Sequence, residues 1–103
     1  MIMQKLTQAE LEIMQALWKL DRGYLRDIQK ESHGRAHTTV STILRILKEK
    51  GFVSSNSFGK ANEYFPVIGR DQYTRFYLTD FIDQYFNGSI HQLVSLFNTP
   101  KEM

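Results

Sequence analysis
Residues able to do chemistry cluster in the middle of the chain, in the stretch HTTVSTILRILKEKG. Thr38, Ser41, Thr42 and Arg45 recur at helical spacing, with His37 and Thr39 beside them. Short hydroxyl side chains let a helix axis come close to a flat partner and can both donate and accept. An arginine at the same face can give two parallel N–H groups to a guanine edge or one to a phosphate. His37, Thr38 and Thr39 fall where free amides at a helix start favour an anion. Lys60, in the turn Phe58-Gly59-Lys60-Ala61, can touch a flanking backbone. The plain alternative is that a polar outer helix face is only a solvated face, and a lone turn lysine only soluble.

Other chemistries lack their residues. With no cysteine there are no disulfides, thiolate zinc sites or thiol nucleophiles. His33, His37 and His91 share no metal-ligand spacing, so no metal is expected. Gly51, Gly59 and Gly69 are spaced as turn glycines and form no phosphate loop. Asp80 and Asp83 are flanked by aromatics, as on the wet edge of a packing helix, and no nucleophile elbow surrounds any serine. Neither an enzyme nor a cofactor is expected.

The elements that must position these residues read as follows. Thr7 and Glu10 form a capping box for a first helix ending near Leu20, with Leu6 and Leu11 at the staple positions. Leu11, Met14, Leu17 and Trp18 follow at helical spacing. Tyr24-Leu25 suits a short extended piece, and Asp27 to Ser32 a second helix with Leu25 and Ile28 inward. A third helix spans about Thr38 to Lys50, with Val40, Ile43, Leu44 and Leu47 on one face and Gly51 as its stop. Phe52–Ser57 and Asn62–Phe65 read as strands of a hairpin closed by Pro66. A long helix follows from about Arg70 to Phe86. Asn87-Gly88 stops it, and a last short helix opens at Ser89 with Gln92 as box partner and ends at Asn98-Thr99-Pro100.

Three helices and a hairpin make a winged helix-turn-helix layout, mainly α with a small β hairpin, whose third helix is the candidate reader of a major groove. Two regions are expected: 1–68, a DNA-binding domain, and 69–103, a helical dimerisation region. Before residue 70 there are ten Lys/Arg against seven Asp/Glu; after it, seven of the thirteen aromatics. Tyr73, Phe76, Tyr77, Phe81, Ile82, Tyr85, Phe86, Ile90, Leu93, Val94 and Phe97 form a stripe too wide for one short neighbour to cover. Exposed apolar area of that size marks an interface, and a second copy of the chain would cover it. The rival class is a winged-helix module that binds protein and no nucleic acid, which a net charge of only +2 keeps open. No apolar run is long enough for membrane insertion, and the opening MIMQKLTQAELE has no signal-peptide core, so a cytoplasmic protein is expected.

Several of these stretches resemble the penicillinase repressor family (BlaI/MecI/CopY type). They are LTQAELEIMQALWKL, TTVSTILRILKEKGFV, EYFP and FYLTDFIDQYFNGSIHQLVSLF, from about Leu6 to Phe97. The resemblance implies a homodimeric winged-helix repressor on a palindromic double-stranded DNA operator, in an antibiotic- or stress-response circuit. DNA contacts would fall on His37, Thr38, Thr39, Ser41, Thr42, Arg45 and Lys60, and dimer contacts on the Arg70–Phe97 helices. In the β-lactam branch a membrane metalloprotease-type sensor triggers cleavage at an Asn-Phe pair. That pair falls on Leu96-Phe97, where leucine replaces asparagine. The copper branch uses cysteines, which this chain lacks.

Overall fold
Thr7 starts the first helix by exchanging hydrogen bonds with Glu10. The Glu10 amide donates to Thr7 Oγ1 (3.2 Å) and the Thr7 amide to Glu10 Oε1 (2.9 Å). In the computed structural model, which describes residues 3–98, helix α1 then runs Gln8–Leu20. A two-residue strand β1 (Gly23–Tyr24), helix α2 (Leu25–Glu31) and helix α3 (His37–Glu49) follow. The wing is β2 (Val53–Phe58) and β3 (Ala61–Pro66), and the last elements are α4 (Arg70–Phe86) and α5 (Ile90–Asn98). The chain divides into two compact units, one up to Arg70 and one from Asp71.

Helix α2 begins two residues before the spacing of its apolar positions suggests. The Asp27 carboxylate accepts the Tyr24 amide at 3.0 Å, so the first turn closes at Leu25. Leu25, expected to be extended, is therefore helical. The sheet also has three strands where a two-stranded hairpin was expected. Gly23 and Tyr24 pair antiparallel with Tyr64 and Glu63, giving the order β1-β3-β2. A two-residue piece carries too little pattern to be read as a strand by itself, since its pairing is tertiary.

Ile13, Met14, Ala16 and Leu17 of α1, Ile28 of α2, and Val40, Ile43, Leu44 and Leu47 of α3 are buried together with Phe52, Val53 and Ile68. Leu11 and Trp18 are only half-buried. Trp18 lies at the core's edge, where its indole N–H donates to the Ile68 carbonyl (3.0 Å) and ties α1 to the chain beyond the wing. Helix α3 ends in a Schellman motif. The Gly51 amide donates to the Lys48 carbonyl (3.1 Å) and the Phe52 amide to the Leu47 carbonyl (2.9 Å), with Gly51 at φ 82°. This cap turns Phe52 into the core and aims β2 away from the helix.

In the second unit, α4 carries ring contacts along its length. Tyr73 lies 6.0 Å from Phe76 and Phe81 lies 4.7 Å from Tyr85. Asn87 and Gly88, at φ 51° and 79°, reverse the chain, and Ser89 Oγ accepts the Gln92 amide (3.2 Å) to start α5. Thr99 and Pro100, expected to end α5, lie outside the described residues.

Glu10 is buried to 5% exposure and also accepts Lys50 Nζ at 2.8 Å. Burial pushes its carboxyl up, but the Lys50 hydrogen bond, the Thr7 amide and the Lys50 charge together hold it below the ordinary glutamate value. A carboxyl lowered by folding contributes stability above its unfolded pKa and loses it as pH falls through the folded one. Urea unfolding should thus give a flat Glu10 contribution from neutral pH down to about 5, declining below the ordinary value of 4.5. Glu10→Gln should lower stability at pH 7 by about 1–2 kcal/mol and flatten that acid limb.

Candidate nucleic-acid interface
Helix α3 is clamped on one side and bare on the other. Its buried residues Val40, Ile43, Leu44 and Leu47 fill the core, while His37, Thr38, Thr39, Ser41, Thr42 and Arg45 are all exposed. The sequence pattern thus separates the two faces correctly. Ala36 is the N-cap and gives no side-chain hydrogen bond, so no capping side chain occupies the first-turn amides of His37–Thr39.

The turn leading into α3 is held from behind. Ser32, fully buried, donates its hydroxyl to the Gln29 carbonyl (2.9 Å), and Gln29 Nε2 donates to the Arg35 carbonyl (3.2 Å). His33 and Gly34 take φ 57° and 81°, a left-handed pair that reverses the chain between α2 and α3. Arg35 Nε meets Glu12 Oε2 at 2.7 Å, and this hydrogen bond holds the Glu12 carboxyl below its usual range. The start of α3 is therefore anchored to α1, as Lys50 anchors its end.

One hydroxyl on the bare face is already committed, and two longer side chains of α3 have partners. Thr42 Oγ1 donates to the Thr38 carbonyl one turn back (3.0 Å), which spends its one O–H and leaves the oxygen able to accept. Lys48 Nζ reaches Ser55 Oγ on β2 (2.9 Å), linking the helix to the wing. Arg45 Nη1 pairs with Glu49 Oε1 at 3.1 Å.

The wing turns through Gly59-Lys60 between the paired residues Phe58 and Ala61. Gly59, at φ 62°, supplies the one positive φ of this two-residue loop. Lys60 is exposed at its tip. Between wing and helices lies an open groove of about 680 Å³, lined by Tyr24, Leu25, Arg26, His37, Ser41, Lys60, Ala61, Asn62 and Tyr64. It brings together His37, Ser41 and Lys60. Thr38, Thr39 and Thr42 sit on the adjoining face of α3 beside Ile43. Sequence reasoning missed Tyr24, Arg26, Asn62 and Tyr64. The β1–β3 pairing brings the α2 start to the wing, and nothing local in the sequence announces it.

On the second unit, Tyr77, Tyr85, Ile90, Val94 and Phe97 are exposed, Phe97 to 79%. Phe76, Phe81, Ile82, Phe86 and Leu93 are half-buried, and Tyr73 is buried within the chain. Among the described residues no group of three His, Asp or Glu could hold a metal ion, and no helix is long and apolar enough to cross a membrane.

The family model described as penicillinase repressor matches residues 6–103. The curated "Penicillinase repressor" of Bacillus licheniformis is 26% identical over 94 residues, spanning 87% of this chain and 73% of that protein. The solution structure of the DNA-binding domain of the repressor BlaI matches with a TM-score of 0.59 at 28% identity, over 69% of this chain and 94% of the other. That likeness agrees with the winged-helix reading of the helices and hairpin.

The exposed face should be dispensable for folding. Arg45→Ala and Lys60→Ala should each change unfolding free energy by less than about 0.5 kcal/mol. Leu44→Ala, behind the same helix, should cost about 2–5 kcal/mol. Urea denaturation of the three variants checks the contrast.

Proposed function
The chain belongs to the penicillinase repressor family, and on that premise we propose that it represses transcription as a homodimer bound to a two-fold symmetric DNA site. The observation that carries the reading is the bare, hydroxyl-rich face of α3, fixed at both ends and flanked by a groove with Arg26 and Lys60 on its walls. In this reading Thr38, Ser41, Thr42 and Arg45 meet base edges in the major groove. His37, Thr39 and the first-turn amides of α3 meet a phosphate, and Lys60 meets the flanking backbone. Tyr24, Arg26, Asn62 and Tyr64 line the path of the intervening sugar-phosphate chain.

Dimerisation rests on the second unit. Exposed Tyr85, Ile90, Val94 and Phe97 are costly apolar surface in a monomer, and a second copy removes it from water. Two α3 helices then enter successive major grooves about 34 Å apart, and the bound dimer blocks polymerase by occupancy. The protein is a regulator and no catalyst, and it acts where the DNA is, in the cytoplasm. The upstream partner implied for the β-lactam branch is a membrane metalloprotease-type sensor. Leu96 and Phe97 are exposed for it, 57% and 79%, but sit within α5, which a protease must unwind before cutting.

Selection from a random duplex pool should enrich a palindrome, and gel shifts on it should weaken about a thousandfold or more between 50 and 200 mM salt. Arg45→Ala should cost about 1–3 kcal/mol there and relax one base position. Equal loss on all sequences would make Arg45 a phosphate contact only. Sedimentation should give twice the 12.1 kDa chain mass at micromolar concentration. Phe97→Glu should yield monomers, and a wild-type monomer would remove the dimer.

A further inference from the structure
One residue on the reading face is at odds with it. Glu49 lies on the stripe of Thr38, Thr42 and Arg45, spaced four, seven and eleven residues from Thr38, so its carboxylate points the same way as the residues proposed to meet DNA. A negative charge there is repelled by every phosphate, whatever the base sequence. Yet Glu49 also takes Arg45 Nη1 at 3.1 Å, with both side chains 64% exposed.

We infer that Glu49 sets the specificity of the interface by holding Arg45 ready for a guanine edge and keeping it from any passing phosphate. The inference rests on the DNA-binding reading above. The chemistry follows from the arginine fork. With Nη1 turned to Glu49, the Nε and Nη2 edge stays free, and its two parallel N–H groups match O6 and N7 of guanine. On a duplex that presents guanine there, the carboxylate and the base share one guanidinium, and that bridge offsets the repulsion. On other sequences Arg45 could reach a phosphate only by giving up Glu49, so it stays with Glu49 and the repulsion stands uncompensated. Glu49 thus weakens wrong complexes more than the right one.

The test compares Glu49→Gln with wild type on two duplexes, one selected by the wild-type protein from a random pool and a scrambled one of equal composition. Glu49→Gln should tighten binding to the scrambled duplex about three- to tenfold, and to the selected duplex less than about twofold. The salt slope on the scrambled duplex should steepen by up to about one unit as Arg45 becomes a phosphate contact. In an Arg45→Ala background the same change should shift both duplexes equally. Two results overturn the inference: equal tightening on both duplexes in the wild-type background, or unequal tightening that survives Arg45→Ala. A wild-type protein that enriches no sequence fails at the earlier reading, and this one falls with it. Glu49 is exposed, so unchanged circular dichroism should accompany every Glu49 variant.

Discussion
The carboxylate of Glu10 is the junction on which the first unit depends. It closes the first turn of α1 through the Thr7 amide and receives Lys50 from the far end of α3. One buried acid therefore fixes two helix ends that are 40 residues apart in sequence. The arrangement is stable because neither partner is left unpaired. A buried carboxylate alone would lose its hydration without return, while here an amide, a hydroxyl contact and an ammonium replace the water. The opposite end of α3 has a matching tie, from Arg35 to Glu12 on the same α1. A helix held at both ends from behind can afford an outer face with no packing partners.

That division explains what could be read from sequence. Where periodicity and capping speak locally, boundaries agree closely: α1 follows from Thr7 and Glu10, α3 from Val40 to Leu47 with Gly51 as stop, and α4 from its span between Gly69 and Asn87. Exposure of His37, Thr38, Thr39, Ser41, Thr42 and Arg45 followed from the same periodicity. What escaped was tertiary. Gly23-Tyr24 becomes a strand only because β3 lies beside it, and Ile68 is core where its carbonyl accepts the Trp18 indole N–H from 50 residues away in sequence. Ile13 and Ala16 lie off the stripe of Leu11, Met14, Leu17 and Trp18, yet are core because α1 is covered over a wider arc than a single stripe suggests. The walls contributed by Tyr24, Arg26, Asn62 and Tyr64 belong to the same class of omission.

The two units also divide the physical work. Residues up to Arg70 hold nearly all of the fully buried side chains, from Ile13 to Ile68. The helices beyond keep Tyr73 as their buried residue and show α5 with none. A short helix with Ile90, Val94, Leu96 and Phe97 in water gains little from its own propensity. The association proposed above would supply its cover, and it rests on this helix more than on any charge.

The smallest element has a wide geometric effect. Because β1 is only two residues and joins α1 to α2, its pairing with Tyr64 and Glu63 rivets the wing to the helical frame. The gap between Lys60 and the α3 start then acts as a caliper whose opening that pairing helps to set. A slip of one residue at Gly23 would turn Tyr24 to the opposite side of the sheet and spoil the setting. Under the proposed function, any duplex whose sugar-phosphate track does not match that opening must bend or compress to fit. Base sequences that deform easily would then be favoured at positions no side chain touches.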